Sequence, residues 1–273
     1  MMQVSRFRVA VALLCAGAVA VCFAADDAPA PTAVPVHWSY GGEAGPAHWG
    51  ALSPDYALCG AGAAQSPIDI PSSAAATEAR WQIQYGSSGL HLSHHEHVED
   101  IIDNGHTIQL DVDAGSSLTV ADDTYALKQL HFHVPSEHTI AGRHAAMEIH
   151  LVHQSAAGRF AVLGVLVEEG GAPDPEFAKL VANLPAAKGE TRHVPEVSVR
   201  LESHLPATRG VHHYVGSLTT PPCLENVQWL VLQQPVLLAK SQISAIADRI
   251  GPNARPTQAL HAREVDSLSL DAE

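Results

Sequence analysis

The sequence predicts a mainly β fold of the α+β class, in which a large sheet carries a few short peripheral helices. Three observations lead to this prediction. Apolar residues alternate with polar ones in several segments and form longer apolar runs in others, and both patterns are typical of strands. Helical patterns are few. Residues 37–273 contain no linker, repeat or low-complexity block, so we expect them to form one domain.

The first 24 residues predict a secretory signal peptide. Arg6 and Arg8 give a positive start, residues 9–21 are apolar, and small residues precede an expected cleavage after Ala24. The apolar run is short for a membrane span, so we expect none in the mature form. An uncleaved anchor and a lipoprotein cut before Cys22 are the alternatives. Residues 25–36 are rich in Ala and Pro and predict a flexible leader.

Composition restricts the partners and the chemistry. The formal net charge of −14 argues against nucleic acid as a partner. Histidine, with 18 copies, outnumbers the 15 Lys and Arg together, which favours metal or proton chemistry. Cys15 and Cys22 leave with the signal peptide, so Cys59 and Cys223 remain and are expected to form a disulfide after export. Two buried free thiols are the alternative.

Four segments carry the main strand patterns. Residues 106–112 and 147–153 alternate between polar and apolar side chains. Residues 159–170 and 226–236 are longer apolar runs, which predict strands buried on both faces. Turn chemistry over residues 113–117 separates two strands.

Two segments predict helices. Residues 174–185 begin with Asp174 as the N-cap and Pro175 at the first helical position. Residues 241–251 place isoleucines on one stripe and end at Gly251.

The segment "LKQLHFHVPSEH", residues 127–138, carries the first sign of a metal site. Alternate residues of a strand share a face, so Gln129, His131 and His133 lie on one side. Leu130 and Phe132 then lie on the other. Core histidines satisfied by their neighbours are the alternative, but two rings on one face would both need partners.

The next strand supplies a third imidazole. His150 shares a face with Glu148, and the connection from His133 suits antiparallel neighbours, so His150 is expected opposite the first two histidines. Three imidazoles suit tetrahedral Zn²⁺ with its fourth position left to water. Gln129 and Glu148 can accept hydrogen bonds from the rings.

These segments, "HFH", "SEHT" and "EIHLVH", together with "GSLTTPPC", resemble the alpha-class carbonic anhydrases, and more closely their secreted bacterial branch. The resemblance covers nearly all of residues 37–263 and includes "HWSYGG", "QSPIDI", "NGHTIQL", "ENVQW" and "NARPTQ". It implies a twisted, mostly antiparallel sheet with zinc in a conical cleft. It also implies reversible hydration of carbon dioxide to bicarbonate by zinc-bound hydroxide, in a bacterial periplasm.

The resemblance assigns roles around the metal. His131, His133 and His150 bind one Zn²⁺ per chain. Thr219 accepts a hydrogen bond from the hydroxide and donates its own proton to Glu137, because a carboxylate only accepts. On sequence pattern alone, Glu137 reads as a surface acid and the "TTPP" segment as a stiff turn.

The resemblance also assigns substrate and proton paths. Carbon dioxide rests on an apolar wall of Val152, Val162, Leu218, Val227 and Trp229, for some of which core packing is an alternative or additional role. Thr220 helps to hold bicarbonate. His106 is the proton shuttle, since an imidazole with an ordinary pKa of roughly 6.5 exchanges protons near neutral pH. Tyr40, Asn104 and Gln109 line the water chain, and Gln109 stands where the best-known members carry Asn.

Further expectations concern partners and rival functions. The resemblance implies inhibition by sulfonamides and small anions and allows an esterase side activity and a monomer or homodimer. A non-catalytic binding module is one rival, although such relatives typically lack a zinc histidine. A zinc-holding protein is the other, with the histidine-rich segment "HLSHHEH" as its working part. That segment contains His91, His94, His95 and His97. A solvated loop is its favoured interpretation, and proton buffering or metal collection at the cleft rim are the alternatives.

Overall fold

Strands dominate the computed structural model of the protein. It describes residues 36–72, 75–95, 106–206 and 209–272, with the backbone alone at 75–80, 93–95 and 271–272. The strands are β1 (Asp69–Ile70), β2 (Ala75–Gln84), β3 (Ser87–His95), β4 (Thr107–Asp111), β5 (Ser117–Val120), β6 (Asp123–His133), β7 (Thr139–Ile140), β8 (Arg143–His144), β9 (Met147–Ser155), β10 (Phe160–Glu169), β11 (Thr191–Arg200), β12 (Gly210–Ser217), β13 (Glu225–Leu232), β14 (Val236–Leu238) and β15 (Asp266–Ala272). The helices are α1 (Trp49–Leu52), α2 (Leu58–Ala61), α3 (Pro175–Ala182) and α4 (Lys240–Ile250), with 3₁₀ turns at Gly42–Ala44, Pro54–Tyr56 and Leu201–His204. The predicted mainly β fold class is confirmed.

Several sequence predictions fall outside the described residues. They are the signal peptide over 1–24 and the leader over 25–36, of which only Val36 is described. Asn104, His97 and the side chains of His94 and His95 also lie outside the described residues. The described residues belong to one compact unit, Pro35–Glu273. In this part of the chain, no helix has both the length and the apolar character needed to cross a bilayer.

Twelve of the strands form one large sheet, in which β6 pairs with three others. One edge of β6 pairs with β4 and β5, and the other edge pairs with β9, each time antiparallel. β9 continues antiparallel into β10, which then pairs in parallel with β13. The expected large and mostly antiparallel sheet is therefore present, and β6 and β9 are direct neighbours in it.

Apolar side chains cover both faces of the central strands. β10 shows this most clearly, since Leu163, Val165 and Val167 pack into one hydrophobic cluster while Val162 and Leu166 pack into another. The first cluster also receives the apolar sides of α3 and α4. Such burial on both faces explains the continuous apolar run that predicted this strand.

The predicted helices form, and their signals act as expected. The Asp174 side chain accepts a hydrogen bond from the backbone N–H of Phe177 at 2.6 Å, which caps α3. Gly251 follows α4 with a positive φ of 66°. The apolar run over 226–236 is not one strand, however. It breaks after Leu232, and Val236–Leu238 pairs separately with β10.

Candidate active site

Three histidines meet on one face of the sheet where β6 and β9 pair. His131 lies directly opposite His150 in the antiparallel register, and His133 follows two residues later on the same face. One nitrogen from each ring lies within 4.8 Å of one nitrogen from each of the others. The ring centroids are 4.5 to 5.2 Å apart. The sequence-predicted cluster therefore exists as three converging imidazoles.

The second nitrogen of each ring lies close to an acceptor. His131 Nδ1 donates to Gln129 Oε1 at 2.8 Å, and His133 Nδ1 donates to the backbone carbonyl of Asn253 at 2.8 Å. His150 Nε2 lies 3.0 Å from Glu148 Oε1. Amide and carbonyl oxygens only accept, so the ring protons of His131 and His133 are fixed on their Nδ1 atoms, and the nearby carboxylate favours a proton on Nε2 of His150. The lone pairs of the other three nitrogens are then available to a metal.

Burial favours the neutral form of two of these imidazoles, His133 and His150. It lowers the pKa of His133 to about 4 and also lowers the pKa of His150. A metal ligand must be a neutral imidazole, so this electrostatic setting suits the role. The Nε2 atom of His133 is buried and has no hydrogen-bond partner in the described structure. An orphaned ring nitrogen facing two other imidazoles fits a tetrahedral nitrogen-liganded cation such as Zn²⁺.

Glu148 is a fully satisfied buried carboxylate. Its Oε2 accepts the backbone N–H groups of Glu137 and His138 at 2.9 and 2.8 Å, and its Oε1 accepts Nδ1 of His138 at 2.8 Å. Burial alone would raise the pKa of Glu148, but His138 and His150 bring it well below the usual range. The ionised carboxylate therefore orients His150 and itself stays in place.

Glu137 and Thr219 form a second buried pair beside the histidines. Glu137 is fully buried, and its Oε1 accepts the backbone N–H of Arg255 at 2.8 Å. Burial raises the pKa of Glu137 to about 7, against the lowering effects of His150, Arg255 and a side-chain hydrogen bond from Thr219. A divalent cation among the histidines would favour the carboxylate form further. Because an ionised Glu137 only accepts, Thr219 then donates to it and presents a lone pair to the site.

A disulfide holds the segment that carries Thr219. Cys59 and Cys223 are bonded, as predicted, and the backbone N–H of Cys223 donates to the carbonyl of Thr220 at 2.8 Å. The Arg255 guanidinium donates to the carbonyl of Cys59 at 2.8 Å. Arg255 therefore contacts the disulfide region with its side chain and Glu137 with its backbone.

The five residues of the expected apolar wall belong to one hydrophobic cluster. Val162, Val227 and Trp229 are at most 2% exposed, whereas Val152 and Leu218 are half-buried at the edge of the cluster. The Trp229 ring lies 4.9 Å from that of His150. The cluster is thus part of the core and also lies next to His150.

A cleft of about 180 Å³ opens in front of the histidines. Among the residues that line it are Tyr40, His106, Gln109, His131, His133 and Thr220. His106 is 4% exposed and stacks on Trp38 with ring centroids 3.6 Å apart, while Gln109 donates its amide to Asp111. The structure therefore brings the expected shuttle and two of its three predicted companions to one cavity.

Asn253 is a site residue that sequence reasoning missed. Its carbonyl accepts from His133, and its side chain accepts the N–H of Val134 at 2.7 Å. Its amide donates to the carbonyls of His106 and Phe132 at 2.7 and 2.8 Å. One buried residue thus links the end of β6, which carries His133, to the segment that carries His106. The "NARPTQ" motif was the available signal, but the pattern alone gave it no role.

Comparisons with known proteins define the family. A family model described as eukaryotic-type carbonic anhydrase matches residues 44–269. A carbonic anhydrase from Pectobacterium carotovorum is 38% identical over 244 residues, which cover 89% of this chain and 93% of that protein. The chain therefore belongs to the alpha-class carbonic anhydrases, which are enzymes that hydrate carbon dioxide.

Solved structures agree with this assignment. The alpha-carbonic anhydrase from Thermovibrio ammonificans, determined with the inhibitor sulfanilamide, is 39% identical with a TM-score of 0.78. The match covers 85% of this chain and 99% of that one. A carbonic anhydrase from Chlamydomonas reinhardtii in complex with acetazolamide is 33% identical, with a TM-score of 0.70 over 85% of this chain and 99% of that one.

Proposed function

We propose that this protein is an exported zinc carbonic anhydrase that converts carbon dioxide and water to bicarbonate and a proton, reversibly. The proposal is carried by the three converging imidazoles, each with its second ring nitrogen next to an oxygen acceptor. His131, His133 and His150 would hold one Zn²⁺ per chain. When bound, zinc supplies Lewis-acid activation of a water molecule, as it is known to do in carbonic anhydrases.

The surrounding residues would orient the reactants. Thr219, held as a donor to Glu137, offers its oxygen to the proton of the attacking nucleophile and so fixes the direction of the nucleophile's lone pair. Val152 and Leu218 present apolar surface, which suits a substrate without charge or dipole. Thr220 lies in the cleft wall, where its hydroxyl can bind the bicarbonate product.

His106 would carry the released proton out of the site. Its ring lines the same cleft as two of the metal ligands, and the cavity has room for bridging water. Tyr40 and Gln109 offer polar groups along this route, and Asn104 is the third expected member. General acid–base transfer of this kind is most efficient when the pKa of the carrier is near the working pH.

Export, inhibition and side activity complete the proposal. The signal-like residues 1–24 and the bacterial relatives support a periplasmic location. The sulfanilamide and acetazolamide complexes of related structures support sulfonamide inhibition, and small anions would compete for the same metal position. An activated nucleophile in an open cleft supports esterase activity on small esters. The chain would act as a monomer or homodimer.

The test is a stopped-flow assay of carbon dioxide hydration, with and without acetazolamide, combined with metal analysis. Wild-type protein should contain one tight zinc per chain and show inhibitable hydration. His133→Ala should lose both, because two imidazoles and an emptied buried position cannot hold the ion. His48→Gln, at an exposed histidine remote in sequence, serves as the control and should behave as wild type.

The same measurements separate the rivals. A binding module would hold zinc without hydration activity, and the presence of all three zinc histidines would then be unexplained. A zinc store would bind several ions tightly and would lose most of them when the segment "HLSHHEH" is removed. Full zinc content in His133→Ala would contradict the ligand assignment itself.

A further inference from the structure

A second group of histidines lies on the sheet outside the cleft. His91 on β3 and His193 on β11 are direct partners in the antiparallel register. Their ring centroids are 4.0 Å apart and their planes are inclined by 56°. The three candidate zinc ligands have centroids 4.5 to 5.2 Å apart, and His133 and His150 are inclined by 47°. The two rings of this surface pair are therefore in direct contact on one face of the sheet.

A carboxylate lies beside the His91 ring of this pair. Asp113 Oδ1 lies 3.5 Å from Nε2 of His91. Its Oδ2 accepts the backbone N–H of Gly89 at 3.0 Å and the hydroxyl of Ser88 at 3.3 Å, so these two residues of β3 fix its position. The Gly89 N–H lowers the pKa of Asp113, with further lowering from His91, Ser88 and His193. The carboxylate is thus negative near neutral pH and adds charge beside the two rings.

The cluster is accessible and lies on the face that continues from the cleft. His193 is exposed and His91 is partly exposed. His91 pairs with Asp111, which in turn pairs with Gln129, so two strand spacings of about 5 Å separate His91 from the cleft wall. A β-bulge in β11 follows at once between Val194 and Ser198, as is common beside functional positions.

We propose that His91 and His193 bind a divalent transition-metal cation, with Asp113 as the carboxylate that orients His91 and balances the charge. Two imidazoles and a carboxylate suit Cu²⁺, Ni²⁺ or Zn²⁺, whereas Mg²⁺ and Ca²⁺ prefer sites made of oxygen. The site would be weaker than the candidate zinc centre, because it offers two nitrogens on an exposed surface. It goes beyond the proposed hydration activity, which does not depend on it.

The experiment titrates zinc-loaded, tag-free protein with CuCl₂ and follows binding by calorimetry and electron paramagnetic resonance. Cu²⁺ is the probe because it binds most tightly in the divalent series. We expect one bound Cu²⁺ per chain with a two-nitrogen signature, zinc content unchanged, and no competition by Mg²⁺. His91→Gln and His193→Gln should each weaken binding by at least about tenfold, and Asp113→Asn by about tenfold.

Two further variants make the outcome decisive. His48→Gln, at another exposed histidine, should leave Cu²⁺ binding unchanged. A triple glutamine variant of His94, His95 and His97 should retain the two-nitrogen signal. Unchanged hydration rates would show that every variant is folded. The proposal is overturned if wild type binds no Cu²⁺, if His193→Gln binds as wild type, or if the triple variant alone abolishes the signal.

Discussion

At the residue scale, His106 separates the two halves of the proposed reaction. It lines the cleft but lies outside the group of three proposed metal ligands. His106→Ala should therefore lower kcat in dilute buffer and leave kcat/KM nearly unchanged, because proton export follows the conversion of carbon dioxide. Added imidazole should restore much of the lost kcat, since a free base can replace the missing one. Stopped-flow hydration at several buffer concentrations measures both quantities.

The control preserves the packing of the ring. His106 stacks on Trp38, and His106→Phe keeps an aromatic ring there without a titratable nitrogen. It should lose kcat as His106→Ala does while retaining thermal stability. If kcat/KM fell as far as kcat and imidazole gave no rescue, His106 would be a structural residue.

Thr219 tests whether the hydroxyl orients the nucleophile. Thr219→Ala should keep its zinc, because the proposed metal ligands are three histidines, but lose hydration activity. Misplacing a reacting atom commonly costs on the order of a hundredfold in rate. Thr219→Ser keeps the hydroxyl beside Glu137 and should lose much less. Turnover of Thr219→Ala equal to wild type, with zinc content confirmed, would show that this hydroxyl does not act on the nucleophile.

At the element scale, the sequence allowed the prediction of the strands but not of all their contacts. The alternation in β6 and β9 is local, so it predicted which faces carry His131 and His150. The bulge between Leu127 and Gln129 was missed, although it places Leu127 in the core with Leu130 and Phe132. A strict alternation of side chains along the strand would put Leu127 on the same face as Gln129.

The contacts made by distant segments were also missed. Asn253 is 120 residues from His133, and Arg255 is 118 residues from Glu137. These two contacts are made by backbone groups of Asn253 and Arg255, which every residue type carries, so no residue pattern predicts the contacts themselves. The exposed pair of His91 and His193 likewise depends on a register between strands distant in the sequence. Only the folded arrangement brings such partners together.

A prediction at the same scale concerns the spacing between β9 and β10. Gly164 lies opposite His150, and a Cβ atom placed on it would be 2.9 Å from Glu148 Oε1. Gly164→Ala should push this carboxylate away from His150. Loss of such a supporting contact costs about 10- to 100-fold in metal affinity, which competition with a zinc chelator measures.

Gly86→Ala is the matched control for this substitution. A Cβ atom at Gly86 meets nothing within 4 Å. The control should therefore bind zinc as wild type does. Equal zinc affinity in Gly164→Ala would mean that Glu148 does not need its present position to support the ligand.

At the scale of the whole molecule, the disulfide closes a very long loop. Cys59 and Cys223 are 164 residues apart, so in the chain-entropy model their bond stabilises the fold by at most about 5 kcal/mol. The double variant Cys59→Ala/Cys223→Ala should unfold at lower urea concentration. Wild type purified without reductant should show no alkylatable thiol at Cys59 or Cys223. Two alkylatable thiols, or an unchanged urea midpoint in the variant, would contradict this role.

His153 should contribute to the pH dependence of the free energy of unfolding. This ring is fully buried, with Tyr85 Oη 2.6 Å from Nε2 and the carbonyl of Ala161 3.3 Å from Nδ1. Burial lowers its pKa to about 3. Between an unfolded pKa of about 6.5 and this value, the unfolded chain binds a proton that the folded chain excludes. Stability must therefore fall on acidification through that window, by up to about 1.4 kcal/mol per pH unit from this residue.

Urea unfolding between pH 6.5 and 5, with zinc chelated so that metal release adds nothing, measures the slope. His153→Gln should show a flatter dependence than wild type, whatever its absolute stability, because the excluded proton is gone. His48→Gln removes an exposed histidine and should keep the wild-type slope. The other histidines whose pKa is lowered by burial are His133, His150, His204 and His212, and they contribute equally to all three proteins and cancel. Parallel curves for wild type and His153→Gln would show that the buried ring takes up its proton without unfolding.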